Sequence, residues 1–182
     1  MIESEPARVP VLVSEEEFLA LPESMQRVEL IDGEVIVGPS PTFWHQDAAK
    51  RLTWLIEAWS HSHPPVYVGQ SPLDVRIGPS RIVRPDLAVW LDGLSSTAMP
   101  LSQVPDVVVE VLSGDRVHDR VTKRFLYAEA GVREYWIVDP AHRGVEVLRG
   151  AGLTDGRMAA DLLESPLLPG LSVRVPPLFA RL

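Results

Sequence analysis

The chain contains no cysteine, which removes disulfides, thiolate zinc sites, iron–sulfur clusters and a cysteine nucleophile together. Basic charge is also scarce: seventeen Lys and Arg against twenty-five Asp and Glu give a formal net charge of −8. A surface of that sign repels polyanions globally, so any contact with DNA must be local. No apolar run approaches the roughly 18 residues that cross a bilayer, and the opening MIESEPARVP is acidic and lacks an apolar signal core. The expected setting is cytoplasmic, without membrane association. A Gly-rich phosphate loop, a G-x-S-x-G elbow, an H-E-x-x-H pair, internal repeats and low-complexity blocks are absent as well. The common nucleotide, serine-hydrolase and zincin chemistries therefore lack their residues.

What is present is a globular composition, 182 residues with 46% hydrophobic and 23% charged, long enough for one domain over 1–182 with a real core. Ser14 and Glu17 form a capping-box pattern ahead of Phe18, Leu19 and Leu21, predicting a short helix that stops near Pro22. VELI and EVIV flank Asp32-Gly33, the turn that matches strand twist, so an N-terminal hairpin follows and ends at Pro39 and Pro41. Trp44, Ala48, Leu52, Leu55, Ile56 and Trp59 recur at helical spacing and predict a long helix whose tryptophans belong to the core. Short strands at 66–69, 73–77, 87–91 and 107–112 read as a meander. The last two are separated by DGLSSTAMPLSQVP, a length of loop more often functional or mobile than idle. A helix over 116–130 stopped by Gly131, a strand EYWIVD, and edge strands at 145–148 and 171–175 complete the pattern.

Two carboxylates stand out. Asp86 opens RPDLAVW after Pro85, and Glu110 lies inside VVVEVL. An unpaired ionised group in a strand interior costs several kcal/mol or more, so each needs a cation nearby. If the two strands are antiparallel neighbours, about 4.8 Å apart, Asp86 comes towards Glu110 and both can reach one ion. Alternation sends Val107, Val109 and Val111 to one face and Val108, Glu110 and Leu112 to the other. Hard oxygen donors suit Mg²⁺ or Mn²⁺ better than zinc. A buried ion pair of Glu110 with Lys123 or an arginine satisfies the same need, and spacing alone does not choose between them. Arg116, Arg120, Lys123 and Arg124 cluster near Asp115 and Asp119. They form either a phosphate-contacting surface or a solvated helix face with pairs such as Asp119 to Lys123. Asp74, Asp106, His118 and Asp139 are expected to be structural or surface residues.

VELIDGEVIVGPSP followed by His45, then RPDLAVW, PDVVVEVLS, the series Asp119, Lys123, Tyr127, then GVREYWIVDP and LLPGL resemble the Uma-type family of putative restriction endonucleases. That family belongs to the PD-(D/E)XK restriction-endonuclease-like superfamily, and the likeness runs from about Ser14 to Phe179. It implies an α/β fold of the α+β type, a mixed central sheet flanked by helices with the N-terminal hairpin attached. It also implies a Mg²⁺- or Mn²⁺-dependent deoxyribonuclease, with Asp86, Glu110 and the Val111 carbonyl as metal ligands and Glu29 as an auxiliary acid. The superfamily's lysine position, two residues after the acid, is Leu112 here, so the lysine role falls to Lys123 on the next helix. On a helical wheel Val117, Val121, Phe125 and Ala128 share one apolar face, while Leu126, Tyr127 and Ala130 surround Lys123 on another. Only the second packing aims the ammonium at Glu110. His45, Arg120, Arg124 and Tyr127 are candidate substrate contacts, DNA the expected substrate, and a symmetric homodimer the expected assembly. The competing expectation is a catalytically inactive nuclease-like binding or protein-interaction module.

Overall fold

LAVW, VVVEV and EYWIVD are buried at every position, a pattern that strands show when both faces of a sheet are covered. The computed structural model describes residues 12–22, 26–113 and 118–180, with 118 and 119 described by their backbone only. Twelve strands are present among them: β1 (Val28–Ile31), β2 (Glu34–Val37), β3 (Tyr67–Gln70), β4 (Val75–Gly78), β5 (Arg81–Val83), β6 (Leu87–Trp90), β7 (Val107–Val111), β8 (Glu134–Asp139), β9 (Gly144–Arg149), β10 (Asp155–Ala159), β11 (Leu162–Glu164) and β12 (Ser172–Arg174). The helices are α1 (Glu15–Leu19), α2 (Phe43–Ser60) and α3 (Arg124–Ala130), the last continuing a π-helical segment (His118–Lys123).

The fully buried strands form the centre of a six-stranded mixed sheet ordered β10-β9-β8-β7-β6-β3. Its single parallel pair is β7 with β8, which requires a crossover, and the chain supplies one through the π segment and α3. One face, with Leu87, Val89, Val107, Val109 and Val111, packs on Ala48, Leu52 and Ile56 of α2. The other, with Ala88, Trp90, Val108 and Leu112, packs on Leu126 and Tyr127 of α3 and on Ile31, Val75 and Val83 of a second sheet. That second sheet is antiparallel, ordered β2-β1-β5-β4, and carries the N-terminal hairpin. Its turn residues Asp32 and Gly33 have φ of 52° and 87°, the left-handed pair that an Asp-Gly hairpin turn requires. The third sheet is the small β11-β12 pair.

The architecture is therefore the expected mixed sheet with flanking helices, but four local expectations change. The strands over 66–112 are not a meander: β3, β6 and β7 belong to the central sheet, while β4 pairs with β5 and joins the hairpin sheet. The strand at 145–148 is not an edge, because β10 covers it. On α2, Trp44 and Trp54 are 39% and 65% exposed, and only Trp59 of its tryptophans is in the core. The loop after β6 is pinned rather than loose: Trp90 Nε1 donates to the Gln103 carbonyl at 2.8 Å, and Gln103 binds Ser95 and Gly93. The capping box at Ser14 and Glu17 forms as expected. The predicted start of the third helix at Arg116 lies outside the described residues.

A buried cluster secures the end of the chain. Glu134 accepts from Arg149, from Trp136 Nε1 at 2.9 Å and from Ser165 Oγ at 2.5 Å. It thereby joins β8 and β9 to the segment that leads into β12. Asp139 accepts the amides of Ala141 and His142, Asp74 pairs with Arg84, and Asp106 caps the Leu91 amide and pairs with Arg133. All three tie neighbouring segments together, and the His118 side chain, given the same expectation, lies outside the described residues.

Candidate active site

The β6–β7 register pairs Leu87 with Val109 and Ala88 with Val108. Continued by one step, it sets Asp86 opposite Glu110, the geometry in which cross-strand side chains are neighbours. Pro85 ends the pairing there, and Asp86 turns its carboxylate onto the neighbouring strand. Its Oδ2 accepts the Val111 amide at 2.7 Å and lies 3.0 Å from His45 Nε2. Thr42 caps α2 by accepting the His45 amide at 3.2 Å, which fixes the first turn of the helix and the histidine with it.

Glu110 points to the opposite face from α2, as alternation demands, and is completely buried. Three donors meet it. Lys123 Nζ reaches Oε1 at 2.7 Å, the Tyr127 hydroxyl donates to the same oxygen at 2.8 Å, and Arg27 Nη2 donates to Oε2 at 2.5 Å. Lys123 also donates to Glu29 Oε1 at 2.9 Å, an oxygen that takes the Arg84 amide at 2.7 Å. The ammonium is 0% exposed. Of the two packings open to the third helix, the chain adopts the one that buries Leu126 and Tyr127, leaving Val121 and Phe125 57% and 58% exposed. A π-helical segment ends at Lys123, a local widening of the helix often found where function fixes one side chain.

Charge in this cluster balances internally. Asp86, Glu110 and Glu29 oppose Lys123, Arg27 and, when protonated, His45. Burial works against the charge on His45, yet its bond to Asp86 raises its pKa above the ordinary value. Burial also disfavours ionised Asp86, but His45, Arg27 and the Val111 amide together hold its pKa below the usual carboxylate range. Burial opposes the Arg27 charge too, and Glu110, Glu29 and Asp86 overcome it, raising its pKa. Burial with Glu110 and Glu29 pushes the Tyr127 hydroxyl well up, so it stays a neutral donor.

Asp86 lines a cavity of about 300 Å³ together with Arg27, His45, Gln70, Arg84 and Ser113. The donor chemistry fits a hard divalent cation in part. Among the described residues Asp86 Oδ1 accepts no hydrogen bond, and the Val111 N–H points at Asp86. In an extended strand a residue's N–H and C=O project to the same edge, so the Val111 carbonyl faces the same side. Both Glu110 oxygens, by contrast, are held by cationic groups. Among the described residues no group of three or more Asp, Glu or His is arranged to hold a metal.

The structure thus gathers Asp86, Glu110, Val111, Lys123, Glu29, His45 and Tyr127 in one place. Arg120 is elsewhere, paired with Asp139 at 3.0 Å and with Glu146. Arg124 makes no hydrogen bond or ion pair among the described residues. The Asp119 side chain, expected to meet Lys123, lies outside the described ones; the partners seen for the ammonium are Glu29 and Glu110. Arg27 and Arg84 were not anticipated. Arg27 had a signal: two residues before Glu29, it extends the same face of the strand, and a cluster of acids there needs cations.

A mixed sheet covered by helices on both faces, with paired acids at the end of its central strands, is the restriction-endonuclease-like class of fold. The chain belongs to the Uma2 family, described as putative restriction endonuclease, which matches residues 15–176. A crystal structure of a putative nuclease belonging to DUF820 from Anabaena variabilis ATCC 29413 is similar in fold, with a TM-score of 0.78 at 23% sequence identity, covering 94% of this chain and 98% of that one. No curated protein matches the chain.

Proposed function

We propose that the protein is a metal-dependent endonuclease that hydrolyses DNA phosphodiester bonds at the centre formed by Asp86, Glu110 and Lys123, with Glu29 as supporting acid. The observation that carries this reading is the fully buried Lys123 ammonium, bonded to both Glu110 and Glu29 beside the facing Asp86. Asp86 Oδ1, the Val111 carbonyl and, once Arg27 has moved aside, Glu110 Oε2 are the groups that would hold Mg²⁺ or Mn²⁺. A divalent ion held there would supply Lewis-acid polarisation of a phosphoryl oxygen and a more acidic water. Everything else is work for the chain's own groups. Val111 and His45 fix the plane of the Asp86 carboxylate. Two carboxylates bond Lys123 Nζ and hold it in place, so a fixed donor is set to meet the negative charge that develops at phosphorus. Tyr127 holds Glu110 Oε1 through a neutral hydroxyl.

Incubated with supercoiled plasmid and Mg²⁺ or Mn²⁺, the wild-type protein should nick or linearise it. Asp86→Asn and Lys123→Met should lower the rate by about 10²-fold or more, the range for removing a preorganised electrostatic group. Wild-type rates in both variants would sink the enzyme reading. Two such centres in a symmetric homodimer would serve two strands, and β10, not β9, is one of the two outer strands of the central sheet, with β3 the other. Sedimentation in solution tests it.

One observation favours the inactive module instead: Arg27 and Lys123 already neutralise Glu110 without a metal. That reading requires no change of melting temperature with Mn²⁺. A metal bound only by the folded state raises the melting temperature by mass action.

A further inference from the structure

The outer side of α2 carries apolar residues that the core does not use. Trp54 is 65% and Leu55 41% exposed, on a helix whose other side packs Ala48, Leu52 and Ile56 into the core. Large apolar side chains left together at a surface mark a contact. With Leu178 they line a groove of about 430 Å³ between α2 and the 3-10 turn Pro176–Phe179 that follows β12. The rim of this groove is cationic. Lys50, Arg51 and Arg174 line it against one acid, Asp47, on a chain where acids outnumber bases by twenty-five to seventeen. Arg51 is directed at Asp47, 2.8 Å away, and at the Pro177 carbonyl. The other two charges are open to solvent. Lys50 Nζ sits over the Trp54 ring, 5.0 Å from its centroid, which sets positive charge beside an aromatic surface. Arg174 is exposed and has no ion pair among the described residues.

We propose that this groove is a base-stacking subsite for single-stranded nucleic acid, with Trp54 taking the face of a base and Lys50 and Arg174 taking flanking phosphates. The inference rests on the nuclease reading for the identity of the polymer, and the contact lies outside the catalytic centre. An acidic peptide would match the charge but brings no flat partner for the indole. Each nucleotide carries an anion and a π-face together. The groove also has a route to the centre. Gln46, Lys50 and Trp54 follow one another at i, i+4 and i+8, so they are successive neighbours on one exposed side of α2. Gln46 lines the cavity beside Asp86, and the row runs about 12 Å from there to the indole. That distance is about three to four steps of a stacked strand, at about 3.4 Å each.

The test needs no metal. A fluorescein-labelled single-stranded oligothymidine is titrated with protein in EDTA and followed by anisotropy, using wild type, Trp54→Ala, Trp54→Phe, Lys50→Gln and Arg174→Gln. All three positions are exposed, so the variants should melt with wild type. Trp54→Ala should weaken binding about tenfold, the scale of one lost base stack, while Trp54→Phe keeps a ring and most of the affinity. On a strand of the same length without bases, Trp54→Ala should bind like wild type. Lys50→Gln and Arg174→Gln should each flatten the slope of log affinity against log salt by about 0.7. No binding by wild type, or affinity unchanged in Trp54→Ala, overturns the proposal. So does an equal loss on the base-free strand, or polyglutamate that competes as well as unlabelled oligothymidine. Weakened binding in Trp54→Ala alongside no metal-dependent cleavage by wild type would leave this groove standing and remove the nuclease reading. Metal-dependent cleavage with unaltered binding in Trp54→Ala would do the reverse.

Discussion

Glu110 shows how much one buried carboxylate can organise. Two cations and a phenol converge on it, so Glu110→Ala strands Lys123 and Arg27 in a dry site. It should cost about 3–5 kcal/mol in denaturant unfolding, the penalty for breaking a buried charge pair from one side. Tyr127→Phe should cost only about 1 kcal/mol, because Oε1 keeps its ammonium. Activity lost in Glu110→Ala therefore says little by itself, and Glu110→Gln is the informative variant. The His45–Asp86 contact gives a pH signature. The histidine's folded pKa is raised, so its contribution is full below its unfolded pKa of about 6.5 and disappears as pH climbs through the higher folded value. The aspartate's folded pKa is lowered, so its contribution is full above its unfolded value and disappears as pH falls through the depressed one. Melting temperature should thus decline above neutrality in wild type, and His45→Gln should flatten that limb; an unchanged slope would refute the linkage. The primary structure declared the need for cations at Asp86 and Glu110. It did not say that both an ion pair and an open carboxylate oxygen would result, because Arg27 reaches the site from 83 residues away along the chain.

Elements differed in how plainly their sequences announced them. The Asp32-Gly33 hairpin, the capping box and the long α2 were readable because each is defined by local chemistry within a few residues. β5 was not: three residues are too few to set up an alternation, and without it β4 had no partner but the central sheet. The predicted stripe of α2 is too wide on one side, since its members Trp44 and Leu55 are 39% and 41% exposed. The third helix had two possible apolar faces, and only the paired demand of Glu29 and Glu110 for a cation distinguishes them. Thr42 supplies a test at this scale. Thr42→Ala removes the cap on α2 and should lower stability by about 1 kcal/mol, read by thermal unfolding. A larger loss would mean that the histidine three residues on has moved with the helix end.

At the scale of the molecule, a chain with net charge −8 must meet a polyanion through a small cationic opening. Few phosphates are neutralised in such a contact, and for single strands each contributes about −0.7 to the slope of log affinity against log salt. A slope of about −1 to −2 is expected for the oligonucleotide. A slope several times steeper would place the main contact on some other surface. The mixed sheet with flanking helices was foreseeable from the fully apolar strands, but its order was not, because β4 leaves the expected meander to pair with β5 and β7 joins β8 in parallel across α3. Of the three acids and three bases gathered at one sheet end, Arg27 alone lies outside the set that the family resemblance implies, because only the tertiary structure brings it to Glu110. That arithmetic also limits how the centre can drift over time. A relative that loses the ammonium at position 123 leaves two acids to share the single charge of Arg27 in a dry interior, so it should shed the one at 29 or 110 in the same lineage. Vestigial forms of this centre should therefore differ from it by neutral swaps in pairs, not by single losses.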